Sequence, residues 1–411
     1  MQIVRRVVAI LSALVLLAAV AGAVYLDWLS PAAAPAAGEP ASVEIPPGDS
    51  LVVCPGELKL PGADDPSDDV VYDPRFDPAP EAVESLLTAL AKGGSGGQVT
   101  ILDSGSSKDL APPLAITSGT VGESASRVAA FSSQAAPADA AGGTFQHQIG
   151  GDLRGVAAAA CQTPATEAWL VAGSTEVGSS ARLLLTNPGF TNVTANIELW
   201  SGSGKVDAVG LDGLVVPPES QRAVLLEGFV GDSARLAIHV TASGGELAVF
   251  MQHSRLEGLV PGGVEIAVPG AAPAQTLVVP GINVVDSTFD SPRTSALRVL
   301  NPSSQRVTIQ AQLWGPDGPV ILPALEEAMV APGLVTDLSL GGLPAGSYVA
   351  VISADQPIVA AGLSLRPATN PDGGPEEFAW SSSAPTPSHG FVALPGANLT
   401  AQLQIGAASQ T

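Results

Sequence analysis

Apolar and polar positions alternate with a period of two across much of the chain beyond residue 165, the spacing of half-buried β-strands. Residues 183–186 and 193–200 are two such runs, separated by the turn-forming Asn187-Pro188-Gly189, and Trp200 leads into a Gly/Ser turn and a third apolar run. The pattern returns over residues 298–343 at a constant offset of 114: Asn187-Pro188 as Asn301-Pro302, Trp200 as Trp314, Gly204 as Gly318, Pro218 as Pro332 and Gly228 as Gly342. One hairpin-built unit is therefore used at least twice. Further strands are expected at 236–240 and 247–251, joined by Ser243-Gly244-Gly245, and at 348–352 and 358–361, joined by a turn at Asp355-Gln356-Pro357. About seven short strands in roughly 110 residues is the spacing of an immunoglobulin-like sandwich, here without the Cys-Trp-Cys hallmark of antibody domains. Trp200 and Trp314 are expected to plug the two cores.

A strand followed by a glycine turn recurs at Cys54-Pro55-Gly56, Ala172-Gly173, Pro280-Gly281 and Pro395-Gly396, which makes the first segment a diverged third copy. Within it, residues 81–92 carry Val83, Leu86, Leu87 and Leu90 at helical spacing and predict a short inserted helix, after which residues 99–102 resume as strand. Residues 399–405 alternate again. They either close the last sandwich or leave an edge for a partner to extend.

The N-terminus has a different pattern. Arg5-Arg6 precede an unbroken apolar run over residues 7–26, which at about 1.5 Å per residue spans a hydrocarbon core of about 30 Å. The arginine pair places the N-terminus in the cytoplasm and the rest of the chain outside. Ala21-Gly22-Ala23 also resembles a cleavage site, so a cleaved signal peptide is the alternative; either reading exports the remainder of the chain. The expected division is an anchor at 1–29, a Pro/Ala-rich spacer at 30–47, a diverged sandwich at 48–168, a sandwich at 169–277 and another at 278–411. The fold class is all-β: tandem immunoglobulin-like β-sandwich domains after one N-terminal transmembrane helix.

Charge narrows the partners. Lys and Arg number 17 against 39 Asp and Glu, a net charge of −22 that repels nucleic acid and anionic lipid heads. Aromatic residues make up only 4%, so the cores are built mainly from Val, Leu, Ile and Ala. Cys54 and Cys161 are the only cysteines, and in an exported chain they are expected to pair, with two buried free thiols as the alternative. The four histidines, His147, His239, His253 and His389, lack metal-ligand spacing.

Candidate chemistry is sparse. Gly48-Asp49-Ser50-Leu51 spells the nucleophile motif of GDSL hydrolases, yet it comes directly after Pro46-Pro47 and the chain has no Asp-x-x-His. Gly231-Asp232-Ser233 resembles a serine-protease motif, but Ala234-Arg235 stand where glycines belong, and a hairpin turn is the simpler reading. Asp64-Asp65-Pro66-Ser67-Asp68-Asp69 is acidic enough for Ca²⁺ but lacks EF-hand order, which favours a solvated loop. Asn192-Val193-Thr194 and Asn398-Leu399-Thr400 are glycosylation sequons, meaningful only in a eukaryote. No catalytic residue, cofactor site or metal site is assigned.

The Arg-Arg anchor, the Val-Cys-Pro-Gly opening, Cys161 shortly before Trp169 and Gly173, and the strand ending at Asn187-Pro188-Gly189 resemble an uncharacterised family of actinobacterial single-pass envelope proteins. The resemblance implies a domain of unknown function with no catalytic residues to carry over. It also implies a place near the enzymes of envelope polysaccharide assembly. The function expected is therefore a non-enzymatic, membrane-tethered extracytoplasmic protein that positions or binds an envelope component. The alternatives are a glycan hydrolase, which would show two carboxylates in a cleft lined by Trp169 or Trp380, and an accessory subunit of a membrane glycosyltransferase.

Overall fold

The computed structural model describes residues 2–29, 50–60, 81–92, 96–102, 107–110, 114–120, 127–132, 139–291, 293–368, 376–384, 392–393 and 402–406. The spacer at 30–47, the acidic stretch at 64–69, Pro395-Gly396 and the sequon at Asn398 lie outside them. The protein is mostly β, with several sheets and one α-helix at the N-terminus.

Two compact units divide the chain, Met1–Pro46 and Pro47–Thr411. The first contains the helix Gln2–Leu29. Its segment Ile3–Leu26 is long and apolar enough to cross a membrane. A helix satisfies its backbone internally, which is what a lipid environment demands. The hydroxyl of Ser12 is satisfied in the same way, donating to the Val8 carbonyl at 2.8 Å.

In the second unit, Ser50–Cys54, Arg127–Ser132, Gly96–Ile101 and Ser107–Leu110 form one antiparallel sheet in that order. A second sheet runs Leu114–Thr120, Glu81–Lys92, Asp139–Gly150, Gly155–Ala160. Residues 81–92 are therefore a strand and not the expected helix. Leu87, Ala89 and Ala91 alternate as well as Val83, Leu86 and Leu90 fit a helix, and ladders along both edges decide between the two periods. Cys54 and Cys161 are joined in a disulfide that ties the first strand to the end of this segment.

The next sandwich along the chain has two antiparallel sheets. One runs Gly204–Val206, Val193–Ser201, Leu236–Ser243, Glu167–Leu170, with Leu214–Val216 also on Val193–Ser201; the other runs Ser220–Leu225, Ser179–Asn187, Ala248–Glu257, Val260–Ala267. Period-two alternation sends Val193, Ala195, Ile197 and Leu199 inward against Leu183, Leu185, Val249 and Met251. The far face of the second sheet is buried too, because Leu184, Ala248 and Phe250 pack against Val53, Leu58, Leu153 and Ala157 of the preceding segment. Gln252 pins that contact through the backbone of Lys59, and Gln146 holds Gly56 and Leu58 in place from within the segment.

Residues 274–382 repeat these pairings around the single long strand Gly346–Arg366. Leu300 opposes Val335 as Thr186 opposes Gln221, Trp314 opposes Pro319 as Trp200 opposes Lys205, and Val307 opposes Val330 as Val193 opposes Val216. The expected turn at 355–357 is absent. The strand runs on through Pro357, pairing with Ala274–Val284 and Val307–Gly315 before it and with Ala296–Leu300 after it, so residues 355–358 are a corner between two ladders. Asp355 Oδ1 accepts from the Thr308 amide there.

Asn187 and Asn301 explain the shared Asn-Pro. Both are fully buried, and the Nδ2 of each donates to the carbonyl four residues on (Thr191, Gln305) and to the one 29 residues on (Val216, Val330). Their Oδ1 atoms accept from the Gly189 and Ser303 amides. Each asparagine thus stands in for backbone partners that a proline-interrupted strand end lacks.

Neither tryptophan plugs the core of its own sandwich, contrary to expectation. Trp200 has the parity of Thr194, Asn196 and Glu198, so it points away from that core. It is 4% exposed because Leu300, Val335, Val359 and Ala361 of later strands cover it. Trp314, in the corresponding place, is 39% exposed. The expected C-terminal closing strand is also not formed among the described residues. Residues 402–406 carry no ladder and attach instead through side chains, Gln404 accepting from the Gly281 amide at 2.6 Å and Gln402 pairing with Ser347.

Candidate functional site

Arg298 sits in Ala296–Leu300, a strand whose other residues are apolar and buried. Its register partner is Asp337, at the positions that Leu184 and Ala223 occupy in the preceding sandwich. Arg298 Nε donates to Asp337 Oδ1 at 2.7 Å and Nη2 to Oδ2 at 3.0 Å, a two-pronged pair. Its remaining donors reach back to the carbonyls of Gly173 at 2.5 Å and Ala234 at 2.9 Å. Gly173 holds φ +90, a backbone angle that glycine adopts without penalty, and this presents its carbonyl to the guanidinium.

Beside Arg298 lies a cavity of about 440 Å³ between the two sandwiches. Four arginines line it, Arg235, Arg255, Arg293 and Arg298, against the carboxylates of Glu176 and Asp337. Arg293 is paired with Glu257 and Glu376 outside the lining, and Arg298 stands 4.7 Å over the Trp380 ring. Trp380 Nε1 donates to His253 Nδ1 at 3.2 Å. An indole N–H only donates, so the neutral imidazole carries its proton on Nε2. That Nε2 is buried and has no hydrogen-bond partner, as is Nε of Arg235, which lies 3.2 Å from Asp337 Oδ2 without the alignment of a hydrogen bond. Burial, then the charges of Arg255 and Arg298, push His253 well below the usual histidine range, so it is uncharged at neutral pH. Burial likewise lowers Arg255.

Two other clusters carry titratable groups. His239 bridges Glu198 and Glu167, each at 2.9 Å, and stacks on Trp169 at 3.9 Å between ring centres. Glu167 is held below its usual range chiefly by the Trp169 indole N–H, and Glu198 chiefly by Lys205. Buried Glu265 takes the amides of Ala158 and Ile266 on Oε1, and desolvation pushes it up to about 8. Neither cluster opens onto the cavity.

Trp380, expected to line a cleft, lines this cavity together with His253, and the other candidate residues singled out in the sequence fall outside it. Cys54, Cys161, Asn187, Asn301 and Trp200 hold the fold together, and Trp314 is 39% exposed. Ser233 lies in a loop and not a hairpin turn, with its hydroxyl on the Arg235 carbonyl and its own carbonyl on the Thr175 amide. Ser50 opens a strand. The cleft arginines were missed because they come from distant stretches, yet one signal was present: an arginine in the run Ala296-Leu297-Arg298-Val299-Leu300 is a buried charge that needs partners.

The architecture defines a class, a mostly-β protein of sandwich-like sheets after one apolar N-terminal helix. The chain belongs to the family of unknown function DUF5719, whose model matches residues 117–411. No curated protein matches it. Among solved structures, that entitled "Crystal Structure of Thermotoga maritima 1070" is similar over 28% of this chain and 95% of its own, at 15% identity and a TM-score of 0.23, too weak a likeness to carry an argument.

Proposed function

We propose that this is a membrane-anchored, extracytoplasmic structural or binding protein of the bacterial cell envelope, in which one sandwich unit used in series carries a binding cleft. Its N-terminus with Arg5-Arg6 faces the cytoplasm, and the partner it serves belongs to envelope polysaccharide assembly. The observation that carries this reading is the joining of an apolar span, Ile3–Leu26, to a disulfide-closed β body, a bond that persists in oxidising compartments. Binding is favoured over hydrolysis because, of the two carboxylates that line the cleft with Trp380, Glu176 and Asp337, the second is already held by Arg298 and not free to act on a substrate, and Trp169 is buried away from the cleft. Protease treatment of intact spheroplasts expressing the full chain tests the topology: residues 47–411 are digested in the proposed orientation, and their protection until lysis rules it out.

A further inference from the structure

The cleft concentrates four of the 17 basic residues of a chain whose net charge is −22. Guanidinium forks match carboxylate and phosphate oxygens, and Arg is less heavily hydrated than Lys, so it binds anions at partly desolvated sites. Independent of the arginines, His253 is 2% exposed, lines the same cavity and carries an Nε2–H donor that nothing accepts. Arg235, whose Nε faces Asp337 Oδ2 at 3.2 Å without the alignment of a hydrogen bond, stands on the same wall. Buried donors left unpaired cost free energy that an oxygen acceptor returns. Phe289 also lines the cavity and is 68% exposed, an aromatic face standing at its mouth.

We propose that this cleft binds the oxyanion end of a small ligand, a carboxylate or a phosphate monoester, on Arg235, Arg255, Arg293 and His253 Nε2–H, with Arg298 adding its charge from the wall and the ligand's apolar part against Phe289. The proposal names a ligand class for the binding protein proposed above and rests on that reading only for where the ligand is met. Binding in solution is indifferent to topology, so the two can fail separately.

The test uses the full chain in mild detergent at constant ionic strength, titrated calorimetrically and by tryptophan emission with inorganic phosphate, benzoate and the neutral benzamide. The expected result is saturable binding of phosphate and benzoate and none of benzamide. The tighter of the two anions tells a phosphate-bearing from a carboxylate-bearing ligand. Arg293→Gln, at a half-buried position, weakens both anions by at least about 10-fold. Phe289→Ala, at an exposed position where substitution leaves the fold intact, weakens benzoate and spares phosphate. The proposal is overturned if neither anion saturates, if benzamide binds as well as benzoate, or if Arg293→Gln with an unchanged circular dichroism spectrum binds phosphate as the wild type does.

Discussion

The strands at 179–267 and those at 274–382 share their pairings, yet their outer faces have different fates. On the first, Leu184 and Ala223 lie opposite each other and are covered by apolar residues of the preceding segment. On the second, the same two places hold Arg298 and Asp337, and the neighbour covering them supplies carbonyls and a cleft. The tryptophans show the same contrast from the opposite side, Trp200 roofed by later strands and Trp314 left at 39% exposure. A shared pattern thus fixes which way a side chain points; the next neighbour along the stack decides whether that direction leads to core, cleft or water.

The largest expected effect separates the first segment from both sandwiches. Cys54→Ser or Cys161→Ser opens a loop of 107 residues and lowers stability by roughly 4–5 kcal/mol, on the chain-entropy account, in chemical denaturation. The sandwiches have no bridge to lose, so a second unfolding transition that survives this change would sharpen the contrast. Next comes the tryptophan pair. Trp200→Ala costs about 3–5 kcal/mol because it empties a roofed site, whereas Trp314→Ala costs less than about 1 kcal/mol. Equal losses would break the comparison of outer faces.

Asn187→Ala and Asn301→Ala should instead agree, each losing about 2–3 kcal/mol as buried carbonyls are left unpaired. A large disparity would mean that the two turns are not equivalent. The last contrast is one of pH and concerns Glu265, whose counterpart in the second sandwich is Ala379, the partner of Ser364 as Glu265 is of His253. With its folded pKa raised to about 8 from 4.5, the native state keeps a proton that the unfolded chain releases. Stability is therefore full below about 4.5 and declines as pH rises toward about 8, by an amount on the order of a few kcal/mol. Glu265→Gln flattens that slope, and an unchanged slope would show that another group causes it.

Strand positions were legible wherever period two was clean, as at 193–200, and the buried asparagines were visible as the recurrent Asn-Pro. The parity of Trp200 was legible too. Counting from Val193 puts it with Thr194, Asn196 and Glu198, and the size of the indole drew attention from that count. Residues 81–92 satisfied both periods, so only their neighbours could settle them. Pro357 read as a turn because proline interrupts a ladder, and here the interruption serves to pass the strand from one set of partners to another. The cleft was not legible, since its arginines and His253 meet only when two sandwiches pack together.

The outer faces can be measured directly from the indole N–H signals of Trp200 and Trp314 in the presence of a soluble paramagnetic agent. The Trp314 signal should broaden at low agent concentration while that of Trp200 persists. Equal broadening of the two would contradict the packing of the second sandwich over the first, and with it the cleft between them.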